Sequence, residues 1–219
     1  LCTDEREYIK EAMIGRARVK SLLSEGKNIV GANSVNAAGE WPQHGVHGLY
    51  YLLAILGMDV GKVSFQADGW WREKTATSPK KMTWALLTLQ YNGIEIDGVD
   101  YTQTKSFSVS QQHFGPYNAG IRLFHDGGWW DDAHKHVRAE RHDRLYYLFF
   151  PTVLAIQRLF ETRQMQWSHD YILQKTKIFL AAFKSHLDHD GALINVDSLP
   201  DDWRAPSPYP DWLDPEMFR

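Results

Sequence analysis

The segment PQHGVHGLYYLLAIL, residues 42–56, constrains the fold more than any other part of the chain. Laid out at 100° per residue, its apolar side chains cover nearly the whole circumference. A helix that is apolar all round can only be stable in the middle of a core. Pro42 suits a first helical residue and Gly57 suits the stop. Leu49, Leu53 and Leu56 are expected to be buried, with other layers built around this helix.

The flanking segments supply those layers. Thr3, followed by Asp4, Glu5 and Glu7, predicts the start of a helix that ends at Gly26. Residues 26–41, rich in Gly, Asn and Ala, read as a loop. KVSFQ reads as a strand. SPKKMTWALLTLQYNG reads as a helix, opened by Ser78-Pro79 and closed by Asn92-Gly93. In IEIDGVDY, the pair Asp97-Gly98 between alternating apolar residues predicts a hairpin. KSFSVS and GIRLF are further strand candidates. A helix is expected from near Asp131 to Phe150, kinked or broken by Pro151, and two more cover the remaining C-terminal half. The expected fold class is α+β: a helical core, a small antiparallel sheet or hairpins in the middle third, and a helical C-terminal half. Residues 1–199 form one globular domain in this reading. Residues 200–219, with five prolines and four aromatics, form an extended arm.

Composition narrows the function classes. The chain has 219 residues, 43% hydrophobic and 23% charged, which suits a packed globular protein rather than disorder. A net charge of −3 offers no electrostatic case for nucleic acid or an anionic membrane surface. No apolar run reaches the ~18 residues of a membrane span. Cys2 is the single cysteine, so no disulfide framework or Cys-rich zinc site can form within the chain. A soluble protein of a reducing compartment, the cytoplasm, is the simpler expectation. The phosphate loop GxxxxGK[ST], the dinucleotide fingerprint GxGxxG after a strand and the elbow GxSxG are all missing.

The chain is, however, rich in His (10) and Trp (9), more than a core of this size needs. His brings proton transfer or metal ligation near neutral pH, and Trp brings stacking surface. His44 and His47 are three residues apart and share a helix face. The stretch HDGGWWDDAHKHVRAERHD, residues 125–143, holds His125 and Asp126 in a loop. On the helix expected after that loop, Asp132, His136, Glu140 and Asp143 fall on one face, which reads more simply as a solvated face opposite Val137, Leu145 and Leu148. In SHLDHDG, Asp188 and Asp190 read as a helix end with an Asx turn rather than a calcium loop. The pairs Trp70-Trp71 and Trp129-Trp130 sit beside Asp and Gly, where a ring can stack on a sugar while a carboxylate bonds its hydroxyls.

These features define the expectations. The first is an enzyme of hydrolase or lyase type on a small or carbohydrate-like substrate, using His/Asp acid–base chemistry with a divalent metal as candidate cofactor. Its catalytic candidates are His44, His47, His113, His125 and Asp126. Its substrate-binding candidates are Trp70, Trp71, Trp129 and Trp130, and its metal candidates His44, His47 and His136. The alternatives are an assembly protein, such as a virion or multi-subunit component, docking through residues 200–219, and a non-catalytic carbohydrate-binding module using the Trp loops. The expected partners are a small ligand and, through the arm, another copy or an assembly partner, with no nucleic acid and no membrane.

Overall fold

The computed structural model of the chain describes residues 10–36, 46–67, 84–96, 98–101, 106–113, 119–131, 144–165 and 167–205. Among the described residues the α-helices are α1 (Lys10–Ser24), α2 (Val46–Leu56), α3 (Arg144–Thr162) and α4 (His169–His189). The strands among the same residues are β1 (Ile29–Asn36), β2 (Val60–Ala67), β3 (Ala85–Tyr91), β4 (Ile94–Ile96), β5 (Val99–Tyr101), β6 (Phe107–His113), β7 (Ala119–His125), β8 (Gly128–Asp131) and β9 (Ile194–Asn195). Seven strands form one mixed sheet in the order β8-β7-β1-β6-β3-β2-β9, and β4 and β5 form a separate hairpin. Within the large sheet β1 and β6 run parallel, and every other pair runs antiparallel.

The sheet is the organising element, which corrects the expectation of a helical core with a small sheet in the middle third. Two strands were misread for physical reasons. IVGANSVN has few β-branched residues, yet as β1 it lies in the centre of the sheet and pairs on both sides. Paired partners on both edges override weak strand propensity. ALLTLQY looks helical between Ser-Pro and Asn-Gly punctuation, but its burial alternates strictly along β3. Period-two burial is the signature of a strand with one face in the core. The loop expected between His125 and Trp130 is the β7–β8 hairpin, so Asp131 closes a strand rather than opening a helix. Pro151 does not break α3, which runs through it to Thr162.

The cross-strand register defines the inner face. One row reads Val63, Leu89, Val109, Ala32 and Leu123, and the next reads Phe65, Leu87, Gln111, Ser34 and Ile121. All of these are buried. Helices α1, α2 and α4 cover this face. Phe65 meets Phe183 of α4 edge-on at 6.1 Å, and Arg16 of α1 donates Nε to the carbonyl of Ala54 at 2.8 Å. As its sequence predicts, α2 is the central helix: Leu49, Leu52, Leu53, Ile55 and Leu56 are each at most 1% exposed. Each such side chain contributes roughly 1.5–3 kcal/mol of burial. One hydrophobic cluster runs from Ala12 to Val196.

Helix α4 opens and closes on local chemistry. Ser168 Oγ accepts from the N–H of Tyr171 at 3.1 Å. At the other end Asp190 adopts left-handed backbone and caps the helix. In SHLDHDG, then, Asp190 makes the helix end.

Candidate functional site

The register fixes which end of the sheet His113 and His125 occupy. At one end Asn36 of β1 pairs with His113 of β6 and Ala119 of β7, and Ala85 of β3 pairs with both His113 and Ala67 of β2. At the other end Ile29 pairs with His125. These ends are separated by the length of β1, about 23 Å at 3.3 Å per residue.

Helix α2 runs antiparallel to β1. Its last turn leads through Gly57 to Val60, and Val60 pairs with Tyr91, which pairs with Phe107 at the Ile29 end. Gly57 also packs against the backbone of Glu95 in β4. The helix is about 16 Å long at 1.5 Å per residue, so its first turn, with His47, belongs to the Asn36 end. The carboxyl ends of the two parallel strands therefore lie on the same side as the N-terminus of the helix that follows the first of them. In open sheets that is where ligands are bound, because strand ends leave backbone groups and side chains facing an open crevice.

The expected constellation divides along this axis. His47 and His113 share the Asn36 end. His125 and Asp126 lie in the β7–β8 turn at the far end, where they hold the turn. His125 Nδ1 accepts from the N–H of Gly127 at 3.0 Å, and Asp126 Oδ2 accepts from the backbone N–H and side-chain amide of Asn28, both at 3.2 Å. The Asn28 backbone N–H is the leading cause that holds the Asp126 carboxyl below its ordinary range. Trp129 pairs with Phe124 and is 61% exposed, whereas Trp130 packs on the core. Ala67 and Ala85, which flank the segment that contains Trp70 and Trp71 in sequence, pair with each other at the His47 end. His44, His136, Trp70 and Trp71 themselves lie outside the described residues.

The metal expectation finds no support. Among the described residues no three His, Cys, Asp or Glu side chains converge as a metal site would require. Of the proposed set His44, His47 and His136, only His47 is described.

Sequence reasoning missed a buried polar group of residues near this end. Ser34 and Gln111 are register partners two residues in from Asn36 and His113, and they are 1% and 0% exposed. Lys175 of α4 is 3% exposed, with Nζ 4.2 Å from the Tyr50 ring centroid and 5.8 Å from that of Tyr171. Tyr50 follows His47 by three residues, so ring and imidazole share one face of α2. Signals for both existed. Gln111 continues the inward alternation Phe107, Val109, and Lys175 continues the stripe Tyr171, Ile178, Ala182 at helical spacing.

A cleft of about 490 Å³ lies at the opposite, C-terminal end of α2, lined by Arg16, Leu53, Asp59, Glu95 and Tyr171 among others. Asp59 and Glu95 face water. This cleft is separated from His47 by most of the length of α2.

No protein-family model matches the chain, and no curated protein matches its sequence. Its fold does have solved counterparts. A myo-inositol dehydrogenase from Corynebacterium glutamicum superposes with a TM-score of 0.59 at 9% identity, over 87% of this chain and 62% of that one. A myo-inositol dehydrogenase from Lactobacillus casei, in complex with NAD(H) and myo-inositol, gives 0.59 at 8% identity, over 94% and 63%. A probable dehydrogenase from Thermotoga maritima gives 0.60 at 11% identity, over 89% and 64%. The chain thus spans less than two thirds of the length of these structures. The architecture is one found in oxidoreductases. That likeness displaces the hydrolase or lyase expectation. Among the described residues no helix is long and apolar enough to cross a membrane.

Proposed function

We propose that this chain is the substrate-side part of an oxidoreductase that acts on a small polyhydroxylated compound, with its site at the His47 end of the sheet. The observation that supports this reading is the arrangement of the described residues: His113, Ala67 and Ala85 pair at the carboxyl end of the parallel pair β1/β6, and the first turn of α2, with His47, lies on the same side. The fold likeness to a dehydrogenase solved with NAD(H) and myo-inositol supports the substrate class.

The chain's own residues do not fit a dinucleotide. Dinucleotide sites use a run of parallel strands and a G-x-G-x-x-G turn, whose bare backbone approaches the pyrophosphate at a helix N-terminus. Here one strand pair is parallel among the described residues, and the sequence contains no such fingerprint. A nicotinamide cofactor would have to be held by protein other than this chain. What this chain contributes is orientation and proton handling. A neutral imidazole at His47 accepts the proton of a substrate hydroxyl. His113 and the aromatic residues Trp70 and Trp71 are proposed to orient the ring.

Saturation-transfer NMR on the purified chain tests the reading. Myo-inositol should receive saturation, the His47→Asn variant should abolish it, and NADH should receive none. Tight NADH binding, or polyol saturation that survives His47→Asn, contradicts it.

A further inference from the structure

The cleft at the C-terminal end of α2 has the make-up of a second binding site, well away from His47. Its volume of about 490 Å³ is that of a pocket for a small molecule. Leu53, Met58 and Ile96 give it apolar walls, and Tyr171 adds an aromatic surface. Two carboxylates, Asp59 and Glu95, line the same cleft and face water. Asn92 holds the first of them in place: its side-chain amide donates to Asp59 Oδ1 at 3.1 Å, and its backbone N–H donates to the Asp59 carbonyl at 3.0 Å.

Charge decides what such a cleft takes. Arg16 is the positive side chain among the described lining residues, and its Nε is committed to the Ala54 carbonyl at 2.8 Å. Two carboxylates outnumber it. Helix α2 ends here without a basic residue in its own last turn, so the negative end of its dipole adds to them.

An independent sign lies in the core near Asp59. Tyr91 is fully buried and stacked on Phe107 at 5.0 Å, and its hydroxyl has no hydrogen-bond partner among the described residues. Burial first, and then the Asp59 carboxylate, hold this phenol above its ordinary range. The hydroxyl therefore keeps its proton and lies within the field of a carboxylate that lines the cleft. Buried hydroxyls are normally paired, so this one calls for a partner.

We propose that this cleft binds a small organic ammonium with an apolar body. The ammonium pairs with Asp59 and Glu95, and the body lies against Leu53, Met58, Ile96 and Tyr171. An ammonium has three N–H donors, enough for both carboxylates and the Tyr91 oxygen.

Titration of the chain with phenethylammonium chloride, followed in a nitrogen–proton NMR spectrum, tests this. The amides of Ile96 and Gly98 should shift in a saturable way. Phenethyl alcohol, the neutral isostere, should bind at least about tenfold more weakly, as should the ammonium to Asp59→Asn or Glu95→Gln. Both carboxylates are exposed, so these variants should keep the wild-type circular dichroism spectrum. Tyr91→Phe keeps the stacked ring and should also weaken binding. Myo-inositol should not displace the ammonium, which makes the result independent of the function proposed above. Absence of a saturable shift, equal binding of the alcohol, or binding that all three variants leave unchanged overturns the proposal.

Discussion

The ammonium of Lys175 lies 4.2 Å from the centroid of the Tyr50 ring, joining α4 to the first half of α2 in a layer where the lysine is 3% exposed. A buried cation against a π face is held by the ring quadrupole and by packing of its alkyl stem. Lys175→Ala should destabilise the chain by about 2–4 kcal/mol in urea unfolding, whereas Lys175→Met should cost no more than about 1.5 kcal/mol. Equal losses in the two variants would show that charge, not packing, holds the α2–α4 junction.

Ser185 ties the end of α4 to the sheet. Its hydroxyl accepts from the N–H of Phe65 at 3.0 Å and donates to the carbonyl of Ala192 at 2.7 Å, in a fully buried position. Ser185→Ala would strand both backbone groups, at a cost of about 1–3 kcal/mol. Amide exchange at Phe65 should accelerate more than at its neighbours on β2. Unchanged protection there would contradict this geometry.

Gly57 and Gly26 both have positive φ, at 87° and 75°, but different surroundings. A Cβ on Gly57 would overlap the carbonyl oxygen of Glu95, which is backbone and cannot rotate away, whereas a Cβ on Gly26 meets nothing within 4 Å. Gly26→Ala should therefore cost only the left-handed strain, about 1–2 kcal/mol. Gly57→Ala should cost more than that, on the order of 3 kcal/mol or above. Thermal melts of the two variants decide it.

Trp203 docks the start of the C-terminal segment on α4. Its indole N–H donates to Asp188 Oδ2 at 2.9 Å, and Lys184 Nζ lies 2.7 Å from the same oxygen. The Lys184 ammonium first, then the indole, hold the Asp188 carboxyl below its ordinary range. A depressed carboxylate pKa contributes stability that is complete above the unfolded value, near pH ~4, and is lost as pH falls through the lower folded value. Trp203→Phe keeps a ring but removes the donor. In an NMR titration it should raise the Asp188 pKa towards the ordinary range, and an unmoved pKa would mean that Lys184 alone sets it.

What was readable in the sequence, and what was not, follows from how local each signal is. Helix α2 was legible because all-round apolarity is contained within one short stretch of sequence, residues 42–56. The β4–β5 hairpin was legible because Asp97-Gly98 sits between alternating apolar residues. Strand β1 was not, because Gly31, Asn33 and Ser34 gain their stability from β6 and β7, which are distant in sequence. Strand β3 was masked by helix-like punctuation at both ends. For the site, His47 was named from its helical spacing to His44, and His113 from residue type alone. The same reasoning named His125 and Asp126, which the register puts about 23 Å away along β1. Lys175 was missed because, with Lys177 and Lys184 also in YILQKTKIFLAAFKSHL, it looks like part of a solvated helix face.

The most direct test of the proposed site is a two-dimensional carbon–proton spectrum of the histidine rings during titration with myo-inositol. The chain has ten histidines, and the candidates occupy opposite ends of one sheet. If the site lies at the N-terminal end of α2, the His47 signal should shift in a saturable way, His113 should follow it, and His125 should stay in place. Movement of His125 with His47 unchanged, or no movement of any histidine at saturating polyol, would contradict it.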